Sequence, residues 1–326
     1  MPAAITAFFL GGTISMSGTT GDGSGAVTRF GAAELVAAVP ALADLDVTLD
    51  ARDFTRVPSA CIRPSDISRL VDDAAASGAD GIVVVQGTDT LEETSYLFDL
   101  LWPHDTPVVF TGAMRNPTLA GPDGPANLLA AVTTAAEPRF RGLGALVAFN
   151  DEIHAARYVR KTHSTNVSTF ASPNAGPIGL LVEGRAVPIA TIPRRRTHAP
   201  TELLTHSVPI FTVGLGDDGA LLRTAEVDGL VVAGFGVGHV PDRLAGTIGA
   251  FTGDGPVVLA TRAAAGPVLE RTYGYEGSER DLLARGLISA GLLDAFKARL
   301  LLLVCLACGY DDATIRAVFA EASGLG

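Results

Sequence analysis

The sequence predicts an α/β protein: a larger N-terminal domain with a mainly parallel sheet flanked by helices, and a smaller C-terminal α/β domain. Three observations carry that expectation. Ile82, Val83, Val84 and Val85 form an unbroken β-branched run, the pattern of a strand buried on both faces. Strand and helix patterns alternate along the first half, the order a parallel sheet with right-handed crossovers needs. A polar, proline-bearing stretch from Pro188 to Ser207 then breaks the periodicity. It divides the chain into an N-terminal domain at 1–190, a linker at 191–208 and a C-terminal domain at 209–326.

In chain order, Ala3 to Leu10 reads as the first strand and ends in Gly11-Gly12-Thr13. Ser15 to Gly25 is rich in Ser, Thr and Gly, with Met16 its only apolar anchor, and reads as a mobile loop, either a lid or a simple surface loop. Ala32 to Val39 is a short helix stopped by Pro40, and Val47 to Phe54 a strand. Pro64-Ser65-Asp66 starts a helix that Gly78 closes. After the strand ending at Val85, Gly87 permits a sharp turn and Leu91 begins a helix to about Leu101. Thr90 and Glu93 have the spacing of a capping box at its start. Pro107 to Thr111 is the next strand, with Gly112-Ala113-Met114-Arg115 as a third glycine turn. Asp123-Gly124-Pro125 opens a helix through Ala136, Gly144 to Phe149 is a strand, and Ala155 to Val159 reads as a short extended piece. Beyond the linker, Pro209 to Val213, Gly229 to Val232 and Pro256 to Thr261 read as strands, and Leu292 to Leu306 and Ala313 to Ala322 as helices.

Composition narrows the function. The 326 residues suffice for one large or two ordinary domains, and a hydrophobic share of 48% supports a substantial core. A formal charge of −11 argues against nucleic acid as a partner, because no basic footprint for phosphates exists. Arg194, Arg195 and Arg196 form the only tight basic cluster and read as solvated linker. Three cysteines do not make a disulfide framework; Cys305 and Cys308 fall in an apolar helical run too short to span a bilayer. The start, MPAAITAFFLGGT, has no basic n-region and no cleavage site, so a soluble, cytoplasmic protein without membrane association is expected. No histidine cluster has metal-ligand spacing, and there is no GxSxG elbow and no P-loop. Gly234-Phe235-Gly236-Val237-Gly238 lacks the third glycine and acidic partner of a dinucleotide site. No metal and no organic cofactor is expected.

What remains is hydroxyl chemistry. Thr88 and Asp89 lie between a strand's carboxyl end and a helix's amino end, where open α/β sheets place ligands. Thr13 repeats that context at the end of the first strand and converges with Thr88 if the two strands are parallel neighbours. Lys161 reads either as a surface lysine, as most lysines are, or as one folded back to activate such a hydroxyl. Backbone N–H groups of the glycine turns are candidate oxyanion donors.

These motifs resemble the bacterial-type L-asparaginase family. The resemblance rests on Gly11-Gly12-Thr13-Ile14, on Gln86-Gly87-Thr88-Asp89-Thr90-Leu91-Glu92-Glu93-Thr94 and on Gly112-Ala113-Met114-Arg115. Asp123-Gly124-Pro125, Asn127-Leu128, Asn150-Asp151, Lys161-Thr162 and Phe170-Ala171-Ser172-Pro173 extend it along the chain. It implies hydrolysis of L-asparagine, with L-glutamine as a weaker substrate, through a threonine acyl-enzyme. Thr13 would be the primary nucleophile and Thr88, Asp89 and Lys161 a second triad. Ser59 and Asp89 would grip the α-carboxylate and α-ammonium of the substrate. Backbone N–H groups near Thr88 and Ala113 would stabilise the tetrahedral oxyanion, and Glu279, or Glu276 in a shifted alignment, would be the acidic residue lent by a neighbouring subunit of a homodimer or homotetramer. The chain departs from the family at three points: Gly25 stands where a loop tyrosine is expected, Ala60 for a glutamine, and His239 for an asparagine. Tyr273 and Tyr275 qualify as replacement hydroxyls by residue type alone. Two other functions stay open on the sequence: an amino-acid sensor that kept the pocket without the chemistry, and an amidohydrolase for a different amide.

Overall fold

The computed structural model describes residues 1–12, 14, 16–17, 27–28, 30–193, 196–201, 205–222 and 226–325. Thr13, the Gly25 position, Arg194, Arg195 and most of the loop from Ser15 lie outside the described residues. The chain divides into two compact units, Met1–Thr197 and His198–Gly326.

The first unit is built on an eight-stranded sheet. In chain order its strands and helices are β1 (Ala3–Phe9), the small antiparallel pair β2 (Met16–Ser17) and β3 (Val27–Thr28), α1 (Ala32–Ala37), β4 (Val47–Asp53), α2 (Pro64–Ala76), β5 (Gly81–Val85), α3 (Leu91–Leu101), β6 (Val108–Thr111), α4 (Gly124–Ala136), β7 (Ala145–Phe149), β8 (Glu152–Ala155), β9 (Arg160–Lys161), β10 (Phe170–Ala171), β11 (Gly179–Val182) and β12 (Arg185–Pro188). The sheet order is β12-β11-β8-β7-β6-β5-β1-β4. β4, β1, β5, β6 and β7 are parallel, and β8, β11 and β12 extend the sheet antiparallel.

Every residue of β5 is buried, as a β-branched run covered on both faces requires. Val83 and Val85 face a core shared with Ile5, Phe9, Leu35, Leu128 and Ala131, beneath α1 and α4. On the opposite face Phe98 of α3 packs edge-on against Phe110 of β6, with ring centroids 5.5 Å apart. The chain leaves β1 toward β4 on one side, then returns to β5 on the other. The carboxyl ends of β1 and β5 therefore bound the topological switch point, where such sheets open a crevice.

The structure departs from the extended piece expected at Ala155 to Val159. This segment is a tight turn, in which the Tyr158 and Val159 N–H groups both donate to Ala155 O. The antiparallel strands β8, β11 and β12 were not expected from sequence. The β11–β12 hairpin turns through Glu183 and Gly184, both at positive φ, 49° and 72°.

The second unit carries a four-stranded parallel sheet, β13 (Ile210–Thr212), β14 (Leu230–Gly234), β15 (Val257–Thr261) and β16 (Ile288–Ser289), in that order. Its helices are α5 (Asp242–Ala250), α6 (Glu279–Ala284), α7 (Ala295–Ala307) and α8 (Asp312–Ala322). Leu244, Ile248 and Leu282 pack on Val232, Val257 and Leu259 to form its core. Cys305 is buried in α7 and Cys308 caps it, so the pair serves as helix packing. Among the described residues no group of His, Cys, Asp and Glu is arranged to hold a metal ion, and no helix is long and apolar enough to cross a membrane.

Candidate active site

Three glycine turns meet at the switch point. A Cβ on Gly12 would stand 2.2 Å from the Gly87 backbone, one on Gly87 2.7 Å from Ser59 Oγ, and one on Gly112 2.3 Å from Gln86 O. Gly12 also has φ +92°, so both space and conformation demand glycine there. This contact brings the ends of β1, β5 and β6 together. Thr13 follows Gly12 directly but lies outside the described residues.

Thr88 and Asp89 form the loop between β5 and α3. Lys161 reaches this loop from β9: its Nζ donates to Thr88 Oγ1 at 3.0 Å and to Asp89 Oδ1 at 3.1 Å. Thr88 is buried, the Lys161 side chain is 15% exposed and that of Asp89 is 66% exposed. The amine is thus shielded, while the carboxylate stays open to a solute. Ser59 is buried beside it; its Oγ accepts the Asp89 N–H at 3.2 Å and donates to Asp89 Oδ2 at 3.4 Å. The structure therefore brings Ser59, Thr88, Asp89 and Lys161 into one hydrogen-bonded group.

Thr90 does not close the expected capping box. Its hydroxyl donates to Ser59 O at 3.0 Å and makes no capping bond to the helix. The capping geometry is given up because the hydroxyl holds the Ser59 turn against the Thr88 loop. Gln86 and Thr94 brace the same loop from beneath, through Thr94 Oγ1 to Gln86 Oε1 at 2.8 Å and Gln86 Nε2 to Gly87 O at 3.1 Å.

Ala113 is buried in the third glycine turn. Asp123 accepts the N–H groups of Met114 and Arg115, and Asn127 donates to Gly112 O and to Asp123 while accepting the Asn150 N–H. Asp123 and Asn127 were not singled out as site supports, although their i, i+4 spacing at a helix start was a usable signal. Of the turn amides, those of Asp89, Met114 and Arg115 are occupied by Ser59 and Asp123, which narrows the set available to an oxyanion.

His154, on β8, is fully buried. His154 Nδ1 sits 3.0 Å from Ser172 Oγ. Burial pushes the imidazole down to about 4, so it is neutral at physiological pH. Glu152 Oε2 lies 3.2 Å from Nε2 but without hydrogen-bond geometry, so this contact is no ion pair.

Glu279 lies in the second unit and is fully buried. Its Oε1 accepts the Thr272 and Tyr273 N–H groups at 2.9 and 2.7 Å, and Oε2 lies 3.1 Å from His239 Nε2. Burial raises this carboxyl, but the hydrogen bonds from Tyr273, Thr272 and His239 outweigh it and hold it below the ordinary value. His239 Nδ1 is in turn 2.8 Å from Tyr275 Oη, with Tyr273 edge-on to the same ring. Tyr275 and Tyr273 are exposed, whereas Glu276 pairs with Arg285 at the surface.

Residues 4–193 match the family model described as Asparaginase, N-terminal, and residues 207–319 the one described as Glutaminase/Asparaginase C-terminal domain. A probable L-asparaginase of Deinococcus radiodurans is 39% identical, over 98% of this chain and 99% of its own. L-asparaginase 2 of Escherichia coli is 32% identical, over 97% and 92%. The crystal structure of a probable cytoplasmic L-asparaginase from Campylobacter jejuni superimposes with a TM-score of 0.85 at 30% identity, over 98% and 99% of the two chains.

Proposed function

Because the chain belongs to the asparaginase family over both of its domains, we propose that it hydrolyses L-asparagine to L-aspartate and ammonia through a threonine acyl-enzyme. The observation that carries this is the Lys161 amine, 3.0 Å from the Thr88 hydroxyl and 3.1 Å from the Asp89 carboxylate. A hydroxyl with a base in reach, and a third group orienting that base, is the arrangement that activates a nucleophile.

Thr13 attacks the side-chain amide carbon as primary nucleophile. Its proton passes by way of Thr88 Oγ1 to Lys161, where the Asp89 carboxylate stabilises the ammonium that forms. Lys161 returns the proton to the leaving nitrogen as the C–N bond breaks, releasing ammonia and leaving the threonine ester. Water then adds to the ester carbonyl through the same relay, frees aspartate and restores both hydroxyls. Ser59 and Asp89 hold the α-carboxylate and α-ammonium, and the exposure of Asp89 supports the second contact. Backbone N–H groups near Thr88 and Ala113 stabilise the tetrahedral oxyanion. Glu279 contributes across the interface of a homodimer or homotetramer through His239 and Tyr275, the group it backs. L-glutamine is the weaker substrate, and the cytoplasm the proposed location.

The test is ammonia release from L-asparagine and L-glutamine by the wild-type protein and by Thr13→Val and Thr88→Val. Turnover of asparagine that falls by about a thousandfold or more in both variants supports the reading. Binding of asparagine by calorimetry with no ammonia from either amide would instead identify a sensor.

A further inference from the structure

Lys161 reaches Thr88 from a two-residue strand, an element too short to fix a long side chain through its own ladder. β9 pairs with β10 along one edge, Phe170 opposite Lys161 and Ala171 opposite Arg160. The Lys161 N–H is bonded elsewhere: it donates to Glu92 Oε2 at 2.7 Å, across 69 residues of chain. Glu92 is the second residue of α3 and is 9% exposed. A carboxylate there complements the positive helix end, and one of its oxygens accepts the shielded Lys161 amide.

The position of this bond gives it consequence. α3 is the helix into which Thr88 and Asp89 lead. One helical turn therefore fixes the hydroxyl, the orienting carboxylate and, through Glu92, the backbone of the lysine that must reach both. Without Glu92, the Lys161 amide facing α3 loses this acceptor, and with it one of the bonds that set the β9 backbone beside the helix. The Lys161 amine would then sample positions away from one or both of its acceptors. Displacement of a reacting group by about 1 Å costs on the order of 100-fold in rate.

We propose that Glu92 is a positioning residue for the reaction: it clamps the Lys161 backbone so that Nζ meets Thr88 Oγ1 and Asp89 Oδ1 together. The proposal rests on the Thr88–Lys161 reading given above. Glu92 acts through Lys161 and touches no substrate. A clamp needs an acceptor oxygen rather than a charge, so glutamine should replace glutamate and alanine should not.

The experiment uses the full chain and compares Glu92→Ala, Glu92→Gln and Lys161→Met. Three readouts are taken: kcat and KM for asparagine, the pH profile of kcat, and hydrogen exchange of the Lys161 amide. Glu92→Ala should lower kcat about 100-fold with KM near wild type, and should speed exchange at Lys161. Glu92→Gln should restore both, with the pH profile unmoved. If Glu92→Gln is as poor as Glu92→Ala, or shifts the pH profile, the carboxylate acts by charge and the clamp is wrong. Faster exchange in Glu92→Ala with normal kcat also overturns it. Should Glu92→Ala fail to fold, Glu92→Asp, one methylene too short, takes its place under the same criteria. Wild-type turnover in Lys161→Met would instead overturn the reading of the site itself, leaving the exchange result to judge the bond alone.

Discussion

β5 and β14 are both fully buried parallel strands that end in glycine turns, yet the turns do different things. After β5 the turn is open. Gly87 touches Gly12 and Ser59, and Thr88 and Asp89 receive Lys161 from another part of the unit. After β14 the turn closes on itself: the Phe235 N–H donates to His239 O at 2.7 Å, and the His239 N–H returns to Phe235 O at 2.8 Å. The first turn leaves its polar side chains to be met by distant residues. The second delivers one histidine, backed by Glu279 and fronted by Tyr275. A buried strand followed by glycine is thus only a frame, and the residues that arrive from elsewhere decide whether it becomes a reaction centre.

Substitution of the arriving group should separate the two most sharply. Lys161→Met is expected to lower kcat by roughly a thousandfold, the range of a lost acid–base group, whereas His239→Ala should cost far less. Comparable losses in steady-state assays would erase the distinction. The glycines come next. Gly12→Ala must push two strand ends apart and should destabilise by about 3 kcal/mol or more, while Gly236→Ala, at φ +48° with open space around it, should cost only about 1 kcal/mol. Urea midpoints measure both, and equal costs would show that the strand ends move freely.

The two histidines extend the contrast to pH. His154 takes up a proton at about 4 in the fold against an ordinary 6.5, so the unfolded chain binds more protons between those values. Stability should therefore fall as the pH drops through that window, by about 3 kcal/mol in all, and His154→Gln should flatten the fall. The smallest effect is expected at Thr90. Thr90→Val removes the hydroxyl bond to Ser59 O and should cost about 1 kcal/mol of stability with a modest rise in KM for asparagine. An unchanged KM would mean that the Ser59 turn holds its place alone.

Strands whose signal is local burial were legible in the sequence. β1, β5, β6 and β7 are apolar runs bounded by glycine or proline, and each lies within a residue or two of its expected bounds. β8, with Glu152 and His154 among its four residues, has no such run. Its place in the sheet comes from pairing with β7 through Asn150 and Asp151, both at positive φ, which composition did not disclose. The site followed the same division. Thr88, Asp89, Ser59 and Lys161 were named from motifs, and the structure brings them together. The roles of Thr90 and Glu92 were not, because each bonds to a residue far along the chain, whereas sequence periodicity sees only neighbours. Thr90 matched a local capping rule and was claimed by a distant carbonyl instead.

The contact of Gly12, Gly87 and Gly112 also bears on how such a protein can change over generations. At these three positions almost any side chain would collide with a neighbouring backbone or a buried hydroxyl, so variation there is closed. Ala60, by contrast, is exposed in the turn that carries Ser59, with space for a longer side chain. Change is therefore open on this exposed side of the Ser59 turn, while the three glycines beneath it form a floor that admits almost none.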